Sequence, residues 1–184
     1  MIRNSAGRMK YGLRSLSHQT SAQNKGLTAL QRYADLFVES NMIQKINPRS
    51  YETVEEFQQN FPGAVTQDPE NVDLHSINQS INMPMYDLLD RGGKKWRPSL
   101  GLIFAELFGR NDLQDFERNK DIYFACGMTE IVHNGTLICD DVEDQSLKRR
   151  GDLCTYRKYG VDYAVNTGNF MYFSSLNKIE QFIP

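Results

Sequence analysis

The sequence is poor in the features that mark most membrane, nucleic-acid-binding and metal-thiolate proteins. No apolar run approaches the ~20 residues needed to cross a bilayer, so no transmembrane span is expected. Charge of one sign is not in excess: the formal net charge is −2, which gives no hint of nucleic-acid binding. Cysteine is scarce, with Cys126, Cys139 and Cys154 only. Their odd number and spacing fit reduced thiols in a helical interior, not a disulfide framework or a metal site. No stretch alternates polar and apolar residues over a useful strand length, and no segment repeats. Asp and Glu are absent from residues 1–34.

What is present reads as helix. Hydrophobic residues make up 40% of the 184 residues, an ordinary share, and that length suits one domain with a real core. Residues 28–42 place Leu30, Tyr33, Leu36 and Phe37 at helical spacing. Residues 43–70 are polar and carry Pro48, Pro62 and Pro69, which predicts a connector with one short helix around Glu55, Glu56 and Phe57. Residues 74–90 are amphipathic through Leu74, Ile77, Ile81, Tyr86 and Leu89, and Gly92-Gly93 ends or turns that stretch. Helices are expected over 100–108, 116–144 and 163–182, with Pro98 suited to the first turn of the first of them. The fold class is all-α.

The most informative stretch runs from His133 to Gly151. Asp140-Asp141-Val142-Glu143-Asp144 puts four acids in five residues, behind an apolar run that reads as buried helix. Asp140 and Asp144 share one helix face, with Asp141 beside them. Carboxylates ~4 Å apart repel by roughly 4 kcal/mol at an effective dielectric near 20. At a helix C-terminus they also oppose the helix dipole. A divalent cation would offset this, and carboxylates without neighbouring His or Cys ligands suit Mg²⁺. Lys148, Arg149 and Arg150 follow, and arginine forks match phosphate oxygens. The cluster reads as a metal–diphosphate site, or more plainly as a solvated acidic face.

A second basic motif lies upstream, at Arg91-Gly92-Gly93-Lys94-Lys95-Trp96-Arg97-Pro98. A glycine turn before a helix leaves backbone N–H groups free for an anion, with Lys94, Lys95 and Arg97 around them. A basic surface loop would look the same. His133 stands seven residues before Asp140, two helical turns, and so points to the same side.

Taken in order, Gly-Gly-Lys-Lys-Trp-Arg-Pro, Glu130-Ile131-Val132-His133, the acidic cluster, Arg149-Arg150-Gly151 and the segment 160–169 resemble the trans-isoprenyl diphosphate synthases, the polyprenyl synthetase family. The resemblance runs from about Met83 to Phe173. It implies a partial isoprenoid-synthase helical bundle with an N-terminal extension. It assigns Mg²⁺ and the diphosphate of an allylic substrate to Asp140, Asp141 and Asp144, with Arg149 on that diphosphate. It gives the diphosphate of isopentenyl diphosphate to Lys94, Arg97, His133 and Arg150. The implied chemistry is ionisation of the allylic diphosphate, attack by the isopentenyl double bond and loss of a proton. Gly135 and Thr136, five and four residues before Asp140, fall where the family forms the floor of the product pocket. Both are small, which favours a long product, although Gly135 equally suits close helix packing.

Two positions depart from the family pattern: Cys139 replaces a common His, and Asn169 stands where many members have Asp. A second aspartate-rich motif is not found, since Asp152, Asp162 and Glu180 do not cluster. The chain alone is therefore expected to be inactive, and three explanations stay open: a piece of a longer protein, one half of a split synthase with a synthase-like partner chain, or a structural subunit of a mitochondrial membrane assembly. The basic, acid-free residues 1–34 read as a mitochondrial targeting or docking segment, which places the chain in the matrix or on the matrix side of the inner membrane. Residues 35–70 form a helix plus connector, and 71–184 the bundle. Allylic and isopentenyl diphosphates and a further protein chain are the expected partners, and quinone side chains the expected destination of a long product.

Overall fold

The computed structural model describes residues 28–62 and 71–182. Of the expected segment 1–34, residues 1–27 lie outside the described residues, while 28–34 form the start of the first helix, with Tyr33 and Ala34 buried. The helices are α1 (residues 28–39), α2 (Met42–Ile46), α3 (Val54–Asn60), α4 (Leu74–Ile77), α5 (Met83–Asp90), α6 (Trp96–Leu107), α7 (Lys120–Glu143), α8 (Thr155–Tyr159), α9 (Val161–Phe173) and α10 (Ile179–Phe182). A π-helical stretch, Asn78–Asn82, joins α4 to α5, and a 3₁₀ turn, Ser174–Lys178, joins α9 to α10. The architecture is all-α, as the periodicity implies, apart from one two-stranded hairpin of β1 (Lys148–Arg149) and β2 (Asp152–Leu153).

The long helix α7 is the axis of the bundle, with α2, α6 and α9 packed around it. Its buried positions include Tyr123, Gly127, Ile131, Asn134, Gly135, Ile138 and Asp141, spaced three or four apart, which is the stripe a helix needs to face a core. The closest approach is to α9. A methyl group on Gly135 would lie 3.0 Å from the Gly168 carbonyl oxygen, and one on Gly168 only 2.5 Å from Cys139 Sγ. Only residues without a side chain let these two backbones meet, and interiors packed at crystal density transmit even one methylene.

The segment expected as a polar connector is docked. α2 extends the helical reading beyond residue 42, after a break at Asn41, which takes φ 53°. The Tyr86 hydroxyl donates to the Asn47 carbonyl, and Asn47 Nδ2 donates to Ser174 Oγ at 2.9 Å. Tyr51, Phe57 and Phe61 stack edge-on or tilted, and Phe61 meets Phe170 of α9 at 5.5 Å. Three aromatics in an otherwise polar stretch carry that docking, since each ring brings a large apolar area. Helix α3 is capped as its sequence suggests: Thr53 Oγ1 accepts from Glu56 N at 3.2 Å.

The hairpin and α8 have no periodicity long enough to show in sequence. The hairpin is fixed by its turn, where Arg150 takes φ 51° and Gly151 φ 86°. Positive φ at both loop positions is the tight turn that matches strand twist. Among the described residues no helix is long and apolar enough to cross a membrane.

Candidate functional site

The end of α7 decides where the charged motifs go. Asp144 caps the helix, Gln145 turns left-handed at φ 52°, and Ser146 N donates to Asp141 O at 3.0 Å while Gln145 N donates to Val142 O at 3.3 Å. This pair of backward bonds is a Schellman closure, built here without glycine. It reverses the chain so that the hairpin folds back beneath the last turn of α7.

Arg149 then meets the acids. Its Nε donates to Asp141 Oδ1 at 3.0 Å, and its Nη2 to the same oxygen at 2.6 Å and to Asp140 Oδ2 at 3.3 Å. Asp141 is buried, its side chain 2% exposed, whereas Asp140 is 53% exposed. Asp144 is also exposed. The three acids are therefore not equivalent. Asp140 and Asp144 face outward one turn apart, while Asp141 points inward and is held by a guanidinium fork. The sequence reading set Asp141 beside the other two; the structure turns it inward onto Arg149. The physical reason is the helix angle: a residue one position on from Asp140 is turned ~100° toward the core. Cys154 is buried against the same carboxylate, and burial first, then the bond to Asp141, pushes its thiol up to about 11.

Among the described residues no three His, Cys, Asp or Glu side chains converge as a metal cage. Two exposed carboxylates nonetheless fit Mg²⁺, which takes one or two carboxylates and leaves its other positions to water and phosphate.

The basic residues gather around His133. The proton affinity of His133 is lowered by burial first, then by the positive charge of Arg97, with Arg150 and Arg149 adding to it and Glu130 opposing. Arg97 comes from α6, where it stacks on Trp96 at 4.4 Å. Residues from α6, α7 and the hairpin thus share one electrostatic field. Lys94 is exposed on the loop before α6. Lys95 is spent elsewhere: it pairs with Glu130 at 3.0 Å, with side chains only 11% and 4% exposed.

Arg150 is half-buried and spans two elements. Its Nη1 donates to Leu88 O at 3.3 Å and to Gly92 O. Its guanidinium carbon lies 3.3 Å from where a Cβ on Gly93 would sit, and Gly93 takes φ 141°. The second glycine of the loop is thereby explained by both its backbone and its neighbour.

Gly135 is buried against α9, beside Gly168, Met171 and Tyr172, so of the two sequence readings close helix packing is the one its surroundings satisfy. Thr136 is exposed and returns its hydroxyl to His133 O at 2.7 Å. Sequence reasoning gave no role to Glu130, Arg91, Asp87 or Lys158. Glu130 was traceable, standing one helical turn before His133 on the same face. The other three act through loop and hairpin contacts that no spacing rule announces.

Comparison with known proteins agrees with the motif order. The chain is 29% identical over 106 residues to a geranylgeranyl pyrophosphate synthase of Eremothecium gossypii, covering 58% of this chain and 31% of that protein. It is 33% identical over 99 residues to the octaprenyl diphosphate synthase of Escherichia coli, covering 54% and 28%. The chain thus spans under a third of the length of these relatives. The fold is similar to a polyprenyl synthase from Caulobacter crescentus, solved with calcium and isoprenyl diphosphate, with a TM-score of 0.56 at 19% identity over 84% of this chain and 38% of that one. The signature of the polyprenyl synthetase family covers residues 78–182, more than half of the sequence and every motif described above, and the chain belongs to that family.

Proposed function

We propose that this chain is the diphosphate-binding part of a prenyl diphosphate synthase. The observation that carries it is the gathering of Arg97 from α6 and of Arg149 and Arg150 from the hairpin around His133 of α7. Arg149 is already matched by Asp141 and Asp140, whereas the half-buried Arg150 is held by the Leu88 and Gly92 carbonyls, and an anion beside it would offset its charge.

Asp140 and Asp144 are the residues that would hold Mg²⁺. When bound, the ion would neutralise charge on the leaving diphosphate of an allylic substrate. Asp141 fixes the plane of the Arg149 guanidinium through two donors, so that Arg149 faces the same diphosphate without searching rotamers. Arg97, His133 and Arg150 bind the second diphosphate, that of isopentenyl diphosphate, and the exposed Lys94 completes the set. Burial first, and then the charge of Arg97, favour the neutral form of His133, which offers an N–H donor without adding charge.

An apolar groove of about 430 Å³ is lined by Arg97 together with Phe104, Phe108, Ile122 and Ala125. Leu100, Phe104 and Leu107 of α6, and Phe108 just after it, are exposed. This apolar face supports the reading that further helices, on the same polypeptide or a partner chain, close the cavity and make turnover possible. The basic, acid-free residues 1–34 support a mitochondrial location.

The test is thermal unfolding with inorganic pyrophosphate, with and without Mg²⁺. A ligand at a hundred times its Kd stabilises by about 2.7 kcal/mol, a rise of about 5–10 °C for a chain this size. The rise is expected only when both are present. No rise at millimolar pyrophosphate and Mg²⁺ would overturn the proposal.

A further inference from the structure

Arg91 ends α5, and its side chain is only 9% exposed. Its guanidinium reaches in two directions. Toward its own helix, Nε donates to Asp87 O at 3.0 Å, and Nη2 donates to Asp87 Oδ2. Toward the hairpin, Nη1 donates to Arg149 O at 3.0 Å and to Leu153 O at 2.8 Å. One planar group thus holds a helix end and both strands of the hairpin at once, which the rigid fork of arginine allows and the single nitrogen of lysine does not.

The hairpin answers in kind. Arg150 sends Nη1 back to Leu88 O and Gly92 O, at the end of α5 and the start of the glycine loop. The two arginines cross, each fixed by backbone carbonyls of the other's element. A second tie runs alongside: Lys158 Nζ lies 2.8 Å from Asp87 Oδ1 and 2.5 Å from Asp152 Oδ2. Asp87 is the common post, bonded to Arg91 and Lys158 with its side chain 19% exposed.

We propose that Arg91 is a positioning residue for the diphosphate site: by clamping the backbone of Arg149 and Leu153 to the end of α5, it sets where the Arg149 and Arg150 side chains stand. This rests on the reading that those arginines face diphosphate. Arg91 itself is turned to carbonyls and Asp87 and does not touch the substrate. Its effect is exerted on the hairpin, whose single strand pair of two residue pairs is too short to hold a conformation alone.

The experiment uses the full chain with Arg91→Met and Arg91→Lys. Two quantities are read: pyrophosphate affinity in Mg²⁺ by calorimetry, and the titration midpoint of His133 by NMR, assigned with His133→Gln. Support for a bound site from the shell behind it is commonly worth about 10- to 100-fold in affinity, and a loss of that size is expected in both variants. The His133 midpoint should rise in both as Arg149 and Arg150 move away. A residue that merely stabilised the fold would leave that midpoint unchanged in the folded variants. Wild-type midpoint and affinity in Arg91→Lys and Arg91→Met overturn the proposal. If Arg91→Met does not fold, Arg91→Lys decides by the same two readings. If the wild-type chain itself fails to bind pyrophosphate, the functional reading falls and takes this inference with it. If the wild type binds and the variants bind equally well, the inference alone fails.

Discussion

Asparagine substitution at each acid of the cluster separates the roles the structure gives them. In Asp141→Asn the side chain keeps its shape but loses its charge, beneath a guanidinium that bonds it through Nε and Nη2 at 3.0 and 2.6 Å. Breaking a buried ion pair by removing one partner costs about 3–5 kcal/mol. Arg149 is 29% exposed, and Asp140 remains as a second acceptor, so a cost of about 2–3 kcal/mol is expected after allowing for solvation and the retained amide oxygen. At ~2–4 °C per kcal/mol for a chain of this size, the melting temperature should fall by about 5–10 °C. Asp144→Asn acts on an exposed acid at a helix C-terminus, where negative charge is unfavourable by about 0.3–1 kcal/mol. It should leave the melting temperature unchanged or raise it slightly. The Mg²⁺-dependent pyrophosphate shift should respond in a different order: lost in Asp140→Asn and Asp144→Asn, although both remain folded. Differential scanning calorimetry with and without ligand reads both effects. Equal melting temperatures for Asp141→Asn and Asp144→Asn would refute the distinction between an inward anchor and outward ligands.

Two further outcomes follow from packing and charge. Gly168→Ala should destabilise by about 1–2 kcal/mol: overpacking costs about 1–3, and the helix propensity of alanine returns up to about 1. Cys139→Ala in the same chain should recover part of that loss, because Cys139 Sγ is the atom the new methyl would strike. Additive losses in denaturant unfolding would show that the sulfur is not the contact. For His133, whose proton affinity is lowered in the folded chain, the unfolded state binds the proton more readily. Stability therefore rises with pH through the window between the depressed folded value and the ordinary 6.5. His133→Gln should flatten that part of the stability–pH curve, and an unchanged slope would contradict the assignment.

Most of the helical layout was legible because it rests on local patterns. The apolar spacing of Leu74 to Leu89, Pro98 in the first turn of α6 and the long run before Asp144 each leave a mark within a few residues. The all-α class and the motif order needed nothing more. The misses share a cause. α2 and α8 are five-residue helices, too short to show a period, and the hairpin has two residues per strand. The connector read as polar because its three aromatics are spread over eleven positions, and only α9 brings Phe61 onto Phe170.

The candidate site divides in the same way. The sequence by itself determined the inventory: the acids of the cluster, the arginine pair after them, the glycine loop with its basic residues, and His133 two turns before Asp140. Those are matters of residue type and spacing along one helix, and physics at that range is local. Only the tertiary structure decided what each residue is for. It turned Asp141 inward onto Arg149 and left Asp140 and Asp144 outward. It committed Lys95 to Glu130 and gave Gly135 to the α7–α9 contact. It also joined Arg91 to a hairpin some sixty residues away, through Arg149 O and Leu153 O. Such pairings depend on where distant segments come to rest, and that is fixed by burial and backbone hydrogen bonding across the whole bundle, which no window of sequence contains.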